Sequence, residues 1–147
     1  MEIAVKDACP KDVPSILEME QAYFSYPHTE DQLLRSLRGP MHEFLAAESE
    51  EGICGYVGME YVIDEGYISN IAVKESCRRC GIADALLAAL KQRARELGLA
   101  FISLEVREQN LPAISLYEKN AFEKTGFVKN YYSQPADNAV IMTWFNK

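Results

Sequence analysis

A chain of 147 residues carries 22 acidic against 15 basic side chains, a formal charge of −7, with 48% hydrophobic and 25% charged residues. This length and composition fit one domain spanning residues 1–147 with its own core, ordinary for a soluble globular protein. The acidic balance argues against a nucleic-acid binder and suits a basic partner. No run nears the ~18 apolar residues of a membrane span. The opening MEIAVKDACP lacks a basic-then-apolar leader, so a cytoplasmic protein is expected, with Cys9, Cys54, Cys77 and Cys80 as reduced thiols.

In chain order, residues 2–8 alternate and predict a first strand. Residues 12–24 carry Val13, Ile16, Leu17, Met19 and Tyr23 at helical spacing, with Asp12 as expected N-cap. Thr29 and Gln32 form a capping box for a second helix that Gly39 ends. Residues 42–49 and 54–64 read as a hairpin around Glu-Glu-Gly, and 66–73 as a further strand. Leu86, Leu87, Leu90, Ala94 and Leu97 share a face of a helix from about Ala83 to Leu97, which Gly98 stops. Residues 100–106 predict a strand, 112–120 a short helix, and 126–132 and 139–145 two late strands. With no repeats and no linker, the expected fold class is α/β with a mixed sheet.

Charge is unevenly spread. Lys74, Arg78, Arg79, Lys91, Arg93 and Arg95 face only Glu75 and Asp84 in the window 74–95, which is locally basic in an acidic chain. Much of this is accounted for by a solvated helix face. Arg78 and Arg79 are not, because they precede a glycine at a helix start. They also sit inside Cys77-Arg-Arg-Cys80, the spacing of a redox pair or half a zinc site. A zinc site needs four ligands, and Cys9, Cys54, His28 and His42 supply no second pair at a suitable spacing, so no metal is expected. Thiol chemistry needs neither the two arginines nor the Gly81-x-Ala83 that follows. A phosphate cradle needs both, since glycine lets the backbone approach an anion and the helix's first N–H groups point at it. The local residues favour the cradle, though so short a loop is a weak motif alone.

The strand YISNIAV followed by RRCGIADALL resembles the acyl-CoA-binding motif of the GCN5-related N-acetyltransferases. The pattern Arg/Gln-x-x-Gly-x-Gly/Ala is met by Arg78, Gly81 and Ala83. LEVREQNLPAISLYEKNAF resembles the family's second motif, and the similarity is strongest from residue 67 to 142. NIAV, LEVR, KNYY and AVIM are similar to the branch of the family that acetylates ribosomal-protein alanines. The resemblance implies acetyl-CoA as co-substrate, bound where two parallel strands splay apart. The backbone of Ile71, Ala72 and Val73 would bond the pantetheine and polarise the thioester. The turn of Arg78, Arg79, Cys80, Gly81, Ile82, Ala83 and Asp84 would hold the pyrophosphate. An acid at Asp84 repels phosphate, so its side chain is expected to turn away.

The same resemblance implies roles for three more residues. Glu105, at a strand end, becomes the general base; on its own it reads as a rim carboxylate paired with Arg107. Tyr117, otherwise a core aromatic, becomes the acid that protonates the departing thiolate. Asn110 caps the helix after it or bonds the cofactor. Tyr131 and Tyr132 line the acceptor cleft or pack the sheet edge. The branch's Pro-Trp-Ser/Thr segment, which the resemblance implies helps form the acceptor site, is here Tyr26-Pro27-His28-Thr29, without the tryptophan; His28 could touch the substrate, but a lone surface histidine is the expectation. The implied acceptor is a protein N-terminus, that of a basic ribosomal protein. Acetylation of a small amine or a lysine, an idle acyl-CoA-binding regulator and a Cys-x-x-Cys oxidoreductase stand as alternatives.

Overall fold

The computed structural model describes residues 2–147. Strand β1 (Ala4–Asp7) leads through a 3-10 turn into helices α1 (Val13–Tyr23) and α2 (Glu30–Arg38). A meander follows: β2 (His42–Ser49), β3 (Gly52–Val62) and β4 (Glu65–Val73). Then come α3 (Ile82–Leu97), β5 (Phe101–Arg107), α4 (Leu111–Lys119), β6 (Glu123–Tyr132) and β7 (Asp137–Phe145). The seven strands form one sheet in the order β1-β2-β3-β4-β5-β7-β6, antiparallel except for β4 against β5. The mixed sheet with helices is the predicted α/β class.

Central strands covered on both faces read as unbroken apolar runs rather than alternations. In β2, Phe44 and Ala46 point into a core under α1 and α2 with Val13, Ile16 and Leu33. Their neighbours Leu45 and Ala47 point into the other core, against Leu86, Leu87 and Leu90 of α3. No helix among the described residues is long and apolar enough to cross a membrane.

Asp12 is buried but does not cap α1. Its carboxylate accepts from the Cys9 N–H at 2.9 Å and pairs with Lys6 at 2.8 Å, so it fastens the turn before the helix to β1. The Thr29–Gln32 capping box forms as predicted, with reciprocal bonds of 3.1 and 2.9 Å. Gly39 ends α2 in extended backbone, whereas Gly98 ends α3 in the left-handed region at φ 72°.

One local irregularity positions the site. Strands β4 and β5 pair for only three residues, Glu65–Tyr67 against Phe101–Ser103. Immediately beyond, the register of β3 against β4 shifts between Gly58 and Met59, which leaves Ser69 as the extra residue of a bulge. A bulge bends its strand and raises the local twist. So β4 follows β3 to the pair Gly55–Val73, β5 follows β7 to the pair Arg107–Ala139, and the sheet opens between them.

Candidate active site

The split holds a cleft of about 920 Å³. Ile68–Val73 of β4 form one wall and Leu104–Arg107 of β5 the other. Of the residues read from the sequence, Ile71, Ala72, Val73, Arg78, Arg79, Gly81, Ile82, Ala83, Asp84, Glu105, Asn110 and Tyr117 all line it. Cys80 does not: its thiol is exposed and points back to the Arg78 carbonyl at 3.6 Å. Cys77 takes its place in the lining, and both thiols are free.

The turn expected to hold an anion is shaped by conformation as much as by charge. Arg79 and Gly81 both adopt positive φ, 66° and 75°. Gly81 is the N-cap of the 16-residue α3 and no side chain caps it, so the first N–H groups of α3 are left for a ligand. Arg78 donates from Nε to the Val73 carbonyl at 3.0 Å, and its guanidinium lies over the Tyr23 ring at 4.6 Å. It therefore ties the turn to the end of β4 and to α1. Asp84 turns aside: its carboxylate accepts from Asn120 at 2.9 Å and from Lys119 at 3.2 Å. The Asn120 amide, with Lys119, holds its carboxyl below the usual range.

On the opposite wall, Glu105 is exposed at the end of β5 and forms no ion pair among the described residues. The expected pairing with Arg107 does not occur. Arg107 donates instead to the carbonyls of Pro135 at 2.7 Å and Ser133 at 3.3 Å, and lies over the Tyr132 ring. Hydrogen bonding to Glu105 raises the pKa of Tyr131, and burial, then Glu105, pushes Tyr132 up to about 12. Both tyrosines line the cleft. Asn110 caps α4 by accepting from Ala113 N–H at 3.3 Å while facing the cleft. Tyr117, one of the residues that α4 buries, packs against Phe122 with ring centroids 5.7 Å apart. Burial raises its pKa above the phenol range, so its hydroxyl keeps its proton at neutral pH.

Two loops meet over the far end of the cleft. Tyr26 bonds Ser133 at 2.6 Å, and Ser25 donates to the Gln134 carbonyl at 3.1 Å. Behind this wall lies a polar group that the sequence reading missed. Glu20 of α1 is fully buried and bonds Tyr56, Asn70 and His28. A signal was present, since Glu20 stands four residues after Ile16 and three before Tyr23, on the apolar stripe itself. His28 is not the lone surface histidine expected.

The cysteines carry a prediction. Alkylation of Cys77, whose side chain faces the cleft, should block donor binding, and bound CoA should protect it. Alkylation at the exposed Cys80 should matter less. A Cys77→Ser, Cys80→Ser double variant should bind CoA and turn over like the unaltered protein. Retained binding with lost turnover, measured by calorimetry beside a steady-state assay, would restore the thiol-chemistry reading.

A sheet split between parallel strands, with an uncapped helix start on one side of the gap and an exposed carboxylate and a buried tyrosine on the other, has the layout of a group-transfer enzyme. Residues 13–122 match the model of the Acetyltransferase (GNAT) family, and the chain belongs to that family. It is similar to the [ribosomal protein bS18]-alanine N-acetyltransferase of Haemophilus influenzae, with 32% identity over 142 residues, 95% of this chain and 94% of that one. The crystal structure of the ribosomal-protein-S18-alanine N-acetyltransferase from Escherichia coli superposes with TM-score 0.89 at 27% identity, covering 98% of this chain and 94% of that one. Ard1 from Thermoplasma volcanium superposes with TM-score 0.90 at 28% identity, covering 100% and 99%. The protein is an acetyltransferase.

Proposed function

We propose that this single domain transfers an acetyl group from acetyl-CoA to a protein N-terminal amine, in the first instance the N-terminal alanine of a small-subunit ribosomal protein. The observation that carries the reading is the convergence of Glu105, Tyr117 and the open backbone of Ile71–Val73 on one cleft. The relatives named for ribosomal-protein alanine acetylation, similar over nearly the whole chain, support the acceptor.

Acetyl-CoA lies along β4 with its pyrophosphate on the turn from Arg78 to Ala83, and the backbone of Ile71–Val73 polarises the thioester carbonyl. The α-amine of a protein has a pKa near ~8 and is largely protonated at neutral pH. Glu105, free of any ion pair, removes that proton directly or through a water. The amine attacks, the C–N bond forms, the C–S bond breaks, and the second proton shed by the nitrogen passes to water. Tyr117 then meets the departing thiolate. Thiols titrate near ~8.5 and phenols near ~10, and burial weakens this phenol further as an acid. Its first contribution is thus a hydrogen bond to the thiolate, with proton transfer completing as the product leaves.

The test is mass spectrometry of an alanine-initiated ribosomal-protein peptide incubated with acetyl-CoA and enzyme. One acetyl group on the α-amine is expected. Acetylation confined to lysine side chains, or turnover of small amines alone, would overturn the acceptor.

A further inference from the structure

The imidazole of His28 stands where two neighbours make opposite demands on one nitrogen. Its Nδ1 lies 3.1 Å from Oε1 of Glu20, an acceptor, and 2.7 Å from Nδ2 of Asn70, a donor. A protonated Nδ1 answers Glu20, and a bare Nδ1 answers Asn70. The amide cannot resolve the conflict by turning over. Its nitrogen also donates to the second oxygen of Glu20 at 2.6 Å, and a flip would set oxygen against carboxylate. Glu20 is itself immobile, with no exposed surface, and is bonded by the Tyr56 hydroxyl and by the His28 backbone N–H at 2.8 Å.

The group joins the acceptor side of the cleft to the wall that binds the donor. His28 lies two residues after Tyr26, which bridges to Ser133 over the cleft. Asn70 lines the cleft one residue before Ile71. Side-chain exposure of His28 is 33%, so solvent can exchange its proton while Glu20 stays dry.

We propose that His28 is a positioning residue for the acceptor, fastening the Tyr26 wall through Glu20 when protonated and turning to Asn70 when neutral. The inference rests on the proposed acetylation of a protein N-terminus and adds that this amine enters beneath that wall. The groups facing His28 agree in sign. Glu20 of α1 raises its pKa, burial opposes this, and Glu60 of β3 adds to the rise. Glu60 is 3.5 Å from His42, and Tyr56 of β3 and Asn70 of β4 complete the surroundings. For Glu20, burial opposes ionisation, but bonds from His28 and Tyr56 outweigh it and hold its carboxyl below the usual range. A raised imidazole pKa means the charged pair is present in acid and lost as pH rises through the folded value. The charge-assisted bond goes with it, and the wall loosens.

Two measurements decide the matter. In nuclear magnetic resonance of the free protein, the His28 ring should titrate above ~6.5, and the Asn70 side-chain amide should shift with the same midpoint. In His28→Gln, whose amide can serve both neighbours without titrating, the Asn70 shift should vanish. Kinetically, with saturating acetyl-CoA and an alanine-initiated hexapeptide, the ratio of acceptor KM in wild type to that in His28→Gln should rise at least about fivefold across the His28 midpoint. Taking this ratio cancels the titration of the acceptor amine, and the KM for acetyl-CoA should show no such step. An Asn70 amide that ignores His28, or a flat KM ratio, overturns the proposal. A protein that turns over no peptide counts against the acceptor reading, and the Asn70 titration alone then decides the His28 switch.

Discussion

Gly81→Glu is expected to weaken acetyl-CoA binding sharply while the fold persists. Gly81 has φ +75°, and a Cβ built there meets no atom within 4 Å. A side chain therefore starts from open space at the turn proposed to hold the pyrophosphate. Two effects follow. An L-residue in left-handed backbone costs about 1–2 kcal/mol, a strain that a 16-residue helix with Leu86, Leu87 and Leu90 in the core can absorb. A carboxylate beside a pyrophosphate adds repulsion. For unit charges at about 4 Å this is about 1 kcal/mol at the permittivity of water and about 4 kcal/mol at the effective value near a protein surface. The loss in affinity should thus fall between about fivefold and a thousandfold. Gly81→Ala separates the two effects, because it has the strain without the charge and should bind CoA only a few-fold more weakly. Calorimetry measures affinity and circular dichroism reports the fold. Affinity for CoA at the wild-type level in Gly81→Glu would remove the pyrophosphate from this turn.

The sequence made the elements legible wherever a local rule governed them. The Thr29–Gln32 box, the Gly98 stop and the apolar face of α3 each depend on residues within a turn or two of one another. The turn from Arg78 to Asp84 was legible for the same reason, since the proposed anion site is one contiguous stretch at a helix start. What the sequence withheld was pairing across the chain. Nothing in residues 66–73 announces that β4 keeps β5 for three residues and then leaves it, because the bulge at Ser69 exists only against β3. Glu105 and Arg107, two apart on one strand, looked like natural partners. The β6–β7 connection, about 28 residues further on, claims the arginine instead. Glu20 stands on the apolar stripe of α1, which marks it as unusual, but its partners Tyr56 and Asn70 come from distant strands and no local pattern names them. Asp12 shows the limit of a capping rule: its carboxylate serves the turn before the helix because Lys6 of β1 lies within reach.

The two proposed proton-transfer groups, Glu105 and Tyr117, carry the other large effect, and pH distinguishes their roles. Glu105→Gln keeps the shape of the exposed strand end and removes the base. Turnover at neutral pH should fall by about 10²–10⁴-fold, the usual worth of general acid–base catalysis. The deficit should shrink as pH rises past ~8, where the acceptor amine loses its proton unaided. Because Glu105 has no ion pair to break, little stability should be lost with its charge. Tyr117→Phe removes one hydroxyl from a buried aromatic packed on Phe122, so the ring and its contacts remain. Turnover should drop within the same range with acetyl-CoA affinity nearly unchanged, since the hydroxyl acts on the thiolate that forms later. Its deficit should not shrink at high pH, because burial keeps the wild-type phenol protonated there. Steady-state pH–rate profiles for the three proteins, with donor binding measured separately, give the decision. A loss in Glu105→Gln that is uniform across pH would make Glu105 a positioning group for the amine. Turnover within about twofold of wild type in both variants would move the chemistry away from this pair, to the backbone of Ile71–Val73 and the proximity of bound substrates alone.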